Sequence, residues 1–256
     1  MAPPVPDKIP VSFSIASKIT CLFILKCKSE SHLKEELSIC QDVLALPETE
    51  DSWEKLFRAI LKLNALIKGG AYKFPNALVT GVKSLSRPLI SAVSVFMFGH
   101  RVKELNSLQM NSERTRLSAT VLELLTSMIS RLDRNFEPLM QVFIPSVLKL
   151  CTRTNKLYIT RARNILDTIT GQTSLTSIIP YFQGCWDDKS TTLRVAAAES
   201  MIASLKKFNP PDLLRYIPQV ETAILTAAVD KDPTVRSAAR KMFECYKALW
   251  PERVDK

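Results

Sequence analysis

Cysteine and histidine are the residue types that most often supply nucleophiles and metal ligands, and the chain of 256 residues contains six and two of them, respectively. The cysteines are Cys21, Cys27, Cys40, Cys151, Cys185 and Cys245. None of them forms a C-x-x-C pair, and neither His32 nor His100 stands at metal-ligand spacing from a cysteine. The sequence also lacks a glycine-rich phosphate loop and an evident pair of carboxylates. It therefore predicts no catalytic residue, no metal site and no cofactor. We expect reduced cytosolic thiols, with Cys151, Cys185 and Cys245 as small buried side chains on helices.

Basic side chains occur in a phrase that the chain repeats. DKSTTLRVAAA at 188–198 and DKDPTVRSAAR at 230–240 are identical at six of eleven positions and lie 42 residues apart. In each copy we expect Asp-Lys to end one helix and open a turn. The apolar-Arg-x-Ala-Ala that follows would begin a second helix, whose small residues allow close packing on a neighbour.

The charge balance of the whole chain points to an acidic partner. Its net charge is +10 and its pI is about 9.4, and a field of that sign speeds encounters with polyanions and acidic protein surfaces. No run of five or six basic residues occurs, which argues against a polybasic tail. The apolar run at 19–25 is much shorter than the roughly 20 residues that span a bilayer.

Helical spacing of apolar residues dominates the chain, while glycine is scarce. Four prolines exclude a helix within residues 1–10, and VSFSIASK at 11–18 is the one strand-like piece. The pattern predicts five helix pairs, at 32–46 with 53–68, 75–94 with 112–132, 136–150 with 157–171, 174–186 with 191–206, and 211–228 with 234–248. We expect a capping box at Asp51 and Glu54, bends near Gly81 and Pro88, and a helix start at Asn111 or Ser112.

A recurring small residue relates these pairs to one another. Ala119, Ala162, Ala196 and Ala238 follow at spacings of 43, 34 and 42 residues. One apolar stripe is predicted at Leu193, Ala197, Met201 and Leu205, and another at Val235, Ala239, Met242, Phe243 and Tyr246. Such a period is typical of HEAT or armadillo-like helix pairs. The predicted fold class is therefore all-α, an α-solenoid of about five HEAT-like helix pairs.

Five segments carry a resemblance to a known family. They are EDSWEKLFRAILKL, NSERTRLSATVLELL, RNFEPLMQVFIPSVLKLCTRTNK, DKSTTLRVAAAESM and DKDPTVRSAARKMFECYKALWPERV. Together they span about residues 47–254 and resemble a TOG-type HEAT array, more narrowly the CLASP amino-terminal domain. The most specific parts are Trp53 at the start of a helix, S-E-R-T-R-L-S at 112–118 and W-P-E-R-V at 250–254.

The resemblance implies a TOG-domain paddle in which the loop inside each helix pair lines one edge. In the TOG family that edge binds the α/β-tubulin heterodimer, so the resemblance implies a non-catalytic tubulin-binding domain that regulates microtubule dynamics and stability. It implies a location in the cytoplasm and cytoskeleton, on microtubules and the spindle. Carried over by position, the expected tubulin-binding residues are Trp53, Arg114, Arg116, Lys156, Lys189, Lys231 and Arg236.

Each of these residues also has a purely structural interpretation. Trp53 could fold back on the first helix as part of the core. Arg194 and Arg236 could bridge to an aspartate of a neighbouring repeat, as this arginine commonly does in HEAT repeats. The three lysines could simply be solvated in their turns.

Some parts of the chain depart from the family pattern. Residues 1–30 are expected to form a divergent, poorly ordered N-terminal arm, followed by the HEAT-repeat domain at 31–256. Residues 95–110 are expected to be an insertion in the second loop. No sixth repeat is evident, so we expect Trp250 to be partly exposed. The further TOG units and the Ser/Arg-rich linker of CLASP proteins are absent from the sequence.

Two other functions stay open. A helical-repeat scaffold for another acidic protein would carry acidic or apolar residues along an inner face, whereas a TOG domain needs basic residues on the loop edge beside Trp53. Nucleic-acid binding rests on the net charge alone, and the basic residues are dispersed among 25 acidic ones with few aromatics between them. We expect no specific nucleic acid and no membrane span.

Overall fold

The computed structural model describes residues 24–47, 49, 52–94 and 107–254, and within these ranges the chain forms helices and no strand. The longer α-helices are α1 (Glu30–Leu44), α2 (Trp53–Lys68), α3 (Pro75–Ser84), α4 (Ser86–Ser94), α5 (Ser107–Leu132), α6 (Glu137–Leu150), α7 (Lys156–Gln172), α8 (Thr191–Lys207), α9 (Ile217–Ala228) and α10 (Pro233–Leu249). A 3-10 helix, Thr176–Cys185, lies between α7 and α8, and the short turns Pro210–Leu213 and Leu214–Tyr216 precede α9. The strand-like piece at 11–18 and residues 95–106 lie outside the described residues.

The helices form two layers of stacked pairs. The second helices of the pairs pack in chain order, α2 on α5, α5 on α7, α7 on α8 and α8 on α10. The first helices, together with the 3-10 helix, form the other layer. One continuous apolar core runs between the layers, with Phe136 and Phe182 among its fully buried side chains. The fold is an all-α solenoid of five HEAT-like helix pairs, as the sequence predicted.

Small residues make the close packing between second helices possible. Ala162, Ala196 and Ala238 are buried as expected. In α5 the buried small residue is Ser118 instead, and Ala119 is only half-buried. Phe243 is also outside its predicted stripe, since it lies on the exposed side of α10.

The predicted helix at 75–94 is two helices, α3 and α4, which break at Leu85. Pro88 lacks an N–H and its ring would crowd the carbonyl of Ser84, so a new helix begins at Ser86. The side chain of Ser84 donates to the Gly81 carbonyl at 2.7 Å near this break. Gly81 has a packing role rather than a bending one, because a Cβ there would lie 2.4 Å from Leu37 of α1.

Other helix boundaries also differ from the sequence prediction. The N-cap of α2 is Ser52, whose hydroxyl accepts a hydrogen bond from the Thr49 amide at 2.9 Å and donates one to the Pro47 carbonyl. Asp51 lies outside the described residues, and Glu54 pairs with Arg58 of its own helix. Helix α5 begins at Ser107, before the predicted Asn111 or Ser112, because residues 107–112 contain no glycine or proline to stop it.

The predicted α-helix at 174–186 is also replaced, by the 3-10 helix Thr176–Cys185. Pro180 lies inside this segment and supplies no backbone N–H.

The expectation that Trp250 would be exposed was wrong. Its side chain is 4% exposed, and its ring centroid lies 5.2 Å from that of Tyr246. The 3-10 turn Pro251–Arg253 follows, and the guanidinium of Arg253 donates to Glu221 of α9 at 3.1 Å. The W-P-E-R segment thus closes the end of the core at the fifth pair.

The described cysteines are structural. Cys151 and Cys185 are buried as predicted, while Cys245 is half-buried. Burial raises the pKa of the Cys151 thiol to about 11 and that of Cys185 to about 12, so both are protonated at neutral pH. Cys21 lies outside the described residues.

The segment before α1 lies against the end of α2. The amide of Leu25 donates to the Ala65 carbonyl, and the amide of Cys27 donates to the Gly69 carbonyl, both at 3.1 Å. Both side chains pack partly against the core. A Cβ at Gly69 would lie 2.0 Å from the Leu25 carbonyl oxygen, so this approach requires a glycine. The domain boundary near residue 30 stays a prediction.

We predict that Gly69→Ala displaces this segment and lowers the free energy of unfolding by about 1–3 kcal/mol, because rigid backbone lies where the methyl group would go. Gly171→Ala is the matched control, since a Cβ there meets nothing within 4 Å. Urea unfolding would measure the stability, and hydrogen exchange would report protection of the Leu25 and Cys27 amides. Equal stability and protection in the two variants would contradict the prediction.

Candidate partner-binding edge

The two repeated Asp-Lys phrases fold into the same turn. The carboxylate of Asp188 accepts the Ser190 amide at 2.7 Å, and that of Asp230 accepts the Asp232 amide at 2.8 Å. Ser190 and Asp232 then cap α8 and α10 through their side chains. With the aspartate and the capping residue both facing inward, the lysine between them is left exposed. Lys189 and Lys231 therefore occupy equivalent positions.

An arginine six residues after each aspartate closes the turn. Arg194 donates from Nη1 to the Asp188 carbonyl at 2.7 Å, and Arg236 donates from Nη1 to the Asp230 carbonyl at 2.8 Å. Arg236 also donates to the Lys231 carbonyl at 2.9 Å. The structural interpretation of Arg236 as a bridge to a neighbouring repeat is thus replaced by a bond to its own loop.

Arg194 does bridge two repeats. Its side chain is 2% exposed, and it donates from Nε and Nη2 to the two carboxylate oxygens of Asp230 at 2.6 and 3.1 Å. Because the same guanidinium also binds the Asp188 carbonyl, one side chain connects the fourth and fifth loops. This bidentate pairing sets the positions of Lys189 and Lys231 relative to each other.

The third loop joins the same edge. Asn155 caps α7 by accepting the Leu157 amide at 2.9 Å, which places Lys156 in the first turn with an exposed side chain. The hydroxyl of Thr192, at the start of α8, donates to the Cys151 carbonyl at 2.7 Å. The third and fourth loops are therefore adjacent at the amino-terminal ends of α7 and α8.

Trp53 and Arg116 form the first part of the edge. Trp53 is the first residue of α2 and is half-buried, with its ring centroid 6.2 Å from that of Phe57. The guanidinium carbon of Arg116 lies 5.7 Å from the Trp53 centroid and 5.1 Å from that of Phe57, within cation–π range. Trp53 is therefore a surface aromatic that packs under an arginine, and it is not a core residue.

Contacts between neighbouring elements locate the predicted site residues. The start of α2 contacts α5, and the Tyr158 hydroxyl of α7 lies 3.5 Å from the Thr115 hydroxyl of α5. Helix α8 contacts both the third loop and the fifth loop. Trp53, Arg116, Lys156, Lys189, Lys231 and Arg236 consequently lie along one edge. Arg114 is on the backbone of α5 two residues before Arg116, and its side chain lies outside the described part.

Two ion pairs join neighbouring second helices. Lys68 pairs with Glu123 across α2 and α5 at 2.8 Å, and Arg163 pairs with Glu199 across α7 and α8. By contrast, Lys156, Lys189 and Lys231 form no ion pair with any residue that the structure describes. Lys189 and Lys231 share their loops with Asp187, Asp188, Asp230 and Asp232, and all three lysine side chains are exposed to a partner.

Sequence reasoning missed several apolar residues at this edge. Phe57 lies under Arg116, Leu157 is exposed beside Lys156, and Val229 is exposed in the fifth loop. Leu157 is the first residue of the predicted helix 157–171, and Val229 directly follows the predicted helix 211–228. Their positions at helix ends could have indicated that they are exposed at the loop edge.

The described residues provide no evident catalytic arrangement. A cleft of about 350 Å³ opens at the opposite edge between the turns after α5, α7 and α8, and it is lined by Arg134, Gly171, Gln172, Thr173, Ser174, Thr176, Lys207, Phe208, Asn209 and Asp212. That lining contains one carboxylate and no histidine or cysteine. Across the described ranges no group of three or more potential ligands could hold a metal ion, and no helix is long and apolar enough to cross a bilayer.

Comparisons with known proteins agree with this architecture. The TOG domain of Caenorhabditis elegans Zyg9 superposes with a TM-score of 0.54 over 94% of this chain and 88% of that one, at 15% sequence identity. The stacked helix pairs have the fold of a TOG-type HEAT-repeat domain. The family model described as "CLASP N terminal" matches residues 91–256. The chain belongs to this CLASP amino-terminal family.

Two curated relatives match most of this chain. Protein stu-1 of Neurospora crassa is 25% identical over 214 residues, which cover 80% of this chain and 17% of that protein. The CLIP-associated protein of Arabidopsis thaliana is 22% identical over 231 residues, which cover 90% of this chain and 15% of that protein. The chain therefore spans about a sixth of the length of these relatives.

We predict that Asp230→Asn lowers the free energy of unfolding by about 3–5 kcal/mol at neutral pH, because it leaves the buried Arg194 without its counter-charge. Asp187→Asn in the exposed part of the fourth loop is the matched control, with an expected change within about 0.5 kcal/mol. Denaturant unfolding measures both. A change of similar size in the two variants would disprove the role of the bridge.

The pH dependence of stability follows from the same pair. Burial raises the pKa of the Asp230 carboxyl, but hydrogen bonds from Arg194 and the Asp232 amide outweigh it and hold the pKa below 3.8. Because the folded-state pKa is the lower one, the stabilisation is complete above about pH 4 and is lost as the pH falls through the folded-state value. We expect the wild type to lose more stability than Asp230→Asn between about pH 5 and 2. Parallel curves would contradict this.

Proposed function

We propose that this chain is a non-catalytic, tubulin-binding TOG domain of a CLASP-type microtubule-associated protein, and that the edge described above binds the α/β-tubulin heterodimer. The observation that carries the proposal is the row of exposed lysines, Lys156, Lys189 and Lys231, that follows Trp53 and Arg116 along that edge. Membership of the CLASP amino-terminal family supports tubulin as the acidic partner.

The residue types suit such an interface. Tryptophan and arginine often dominate binding energy, and Trp53 already has one face on Arg116, which limits the freedom that its side chain loses on binding. Each exposed lysine alone is worth about 0–1 kcal/mol. Several lysines in a row increase the rate of encounter with an acidic surface and set the orientation of docking.

The remaining predicted residues have different parts in this proposal. Arg236 acts through the fifth loop, because it donates to the backbone carbonyls of Asp230 and Lys231 and thereby holds the backbone that carries Lys231. Arg114 is kept as a tubulin contact on its position in the family pattern alone. We propose that binding regulates microtubule dynamics and stability and that the protein acts in the cytoplasm, on microtubules and the spindle.

The scaffold alternative receives less support. It requires acidic or apolar residues along an inner face, whereas the second helices carry the pairs Lys68–Glu123 and Arg163–Glu199, and α10 also carries the exposed basic residues Arg240, Lys241 and Lys247. Nucleic-acid binding has only the net charge in its favour, and the half-buried Trp53 on the edge is covered on one side by Arg116.

We predict that wild-type protein co-elutes with soluble tubulin in gel filtration at low and moderate salt, and that Trp53→Ala combined with Lys231→Glu raises the Kd at least tenfold. Replacing Trp53 with alanine removes an apolar anchor, and replacing Lys231 with glutamate reverses a charge at the other end of the edge. Lys206→Glu is the matched charge control, because Lys206 is exposed at the far end of α8.

Thermal unfolding of each variant would show that loss of binding is not loss of folding. Wild type that does not co-elute with tubulin, or a double variant that binds as tightly as Lys206→Glu, would refute the assigned edge.

A further inference from the structure

Two apolar side chains are exposed together at the fifth loop. Val229 is 82% exposed and Leu225 is 71% exposed, the two largest values among the large apolar residues of the described chain. Leu225 lies in the last turn of α9 and Val229 is its C-cap residue, four positions later, so the two lie on the same side of this helix end. The opposite face carries the buried residues Val220, Ala223 and Ala227.

This Leu225–Val229 patch belongs to the same edge as the lysines. Val229 is adjacent to Asp230, which Arg194 holds by two hydrogen bonds, and it is two residues before Lys231. Arg236 binds the carbonyls of Asp230 and Lys231. The loop is therefore fixed from both sides, and it presents an apolar surface beside the exposed side chain of Lys231.

We propose that the Leu225–Val229 patch is an apolar contact for tubulin at the fifth loop, where it would be covered by an apolar spot bordered by acidic side chains. This inference rests on the proposed function. Two observations favour this occupant: the patch is continuous with the proposed edge, and Lys231 at its border complements an acidic protein. An apolar centre with a polar rim is also the usual arrangement of an interface.

The two kinds of contact differ in their response to salt. Burial of apolar area is not screened by ions, whereas an exposed lysine loses most of its effect when the ionic strength rises. Removal of the patch should therefore raise the Kd by the same factor at every salt concentration. Removal of Lys231 should raise it most at low salt.

The experiment measures the Kd for fluorescently labelled soluble tubulin at about 50 and 200 mM salt, by titration with purified chain. We expect Leu225→Ser with Val229→Ser to raise the Kd about tenfold at both concentrations, as the loss of two buried aliphatic side chains implies. Lys231→Gln should raise it more at the lower concentration. Leu214→Ser is the matched control, because Leu214 is 55% exposed in the turn between α8 and α9, at the opposite edge.

The outcomes separate this inference from the proposed function. If wild type does not bind tubulin, both fail. If wild type binds and the double serine variant binds equally well, only the patch is excluded. A wild-type chain that sediments as a dimer, and becomes monomeric in the double serine variant, would identify the patch as a self-association surface and overturn the inference.

Discussion

The bidentate pairing of Arg194 with Asp230 is the interaction on which the arrangement of the fourth and fifth loops depends. It is buried, it joins the fourth and fifth helix pairs, and the same guanidinium also closes the fourth turn through the Asp188 carbonyl. A buried arginine is costly unless its donors are used, and here Thr191 provides a further acceptor at 3.3 Å. Because these donors face inward, the neighbouring lysines are the side chains left for a partner.

The stacking of second helices explains why the exposed residues share an edge. Ala162, Ala196 and Ala238 are buried in these helices and permit close approach. Since the helices pack in chain order and their starts are linked by contacts from loop to loop, whatever precedes or opens each one reaches the same side of the molecule. Lysines that recur at helix starts along the sequence are thus brought to one edge in space.

Much of the fold could be predicted from periodicity, because apolar residues at helical spacing must be buried on one side. The predictions failed at two helix starts and at the end of the fifth pair. Pro88 starts a new helix rather than bending one, and α5 extends to Ser107 because no residue there stops it. Trp250 is buried because Arg253 binds Glu221 and Tyr246 and closes the end of the fifth pair, a contact between residues far apart in the sequence.

The sequence by itself determined the class of fold, the five helix pairs and the equivalence of the two Asp-Lys turns, since these depend on local spacing and capping. Only the tertiary structure decided which arginine bridges repeats and which binds its own loop. The two arginines have the same sequence context, but Arg194 pairs with the carboxylate of Asp230 in the next repeat, whereas Arg236 donates to the Asp230 backbone carbonyl of its own loop. Tertiary packing also decided that Trp53 lies under Arg116 at the surface, because a cation–π contact depends on how two helices are placed rather than on the residues beside either one.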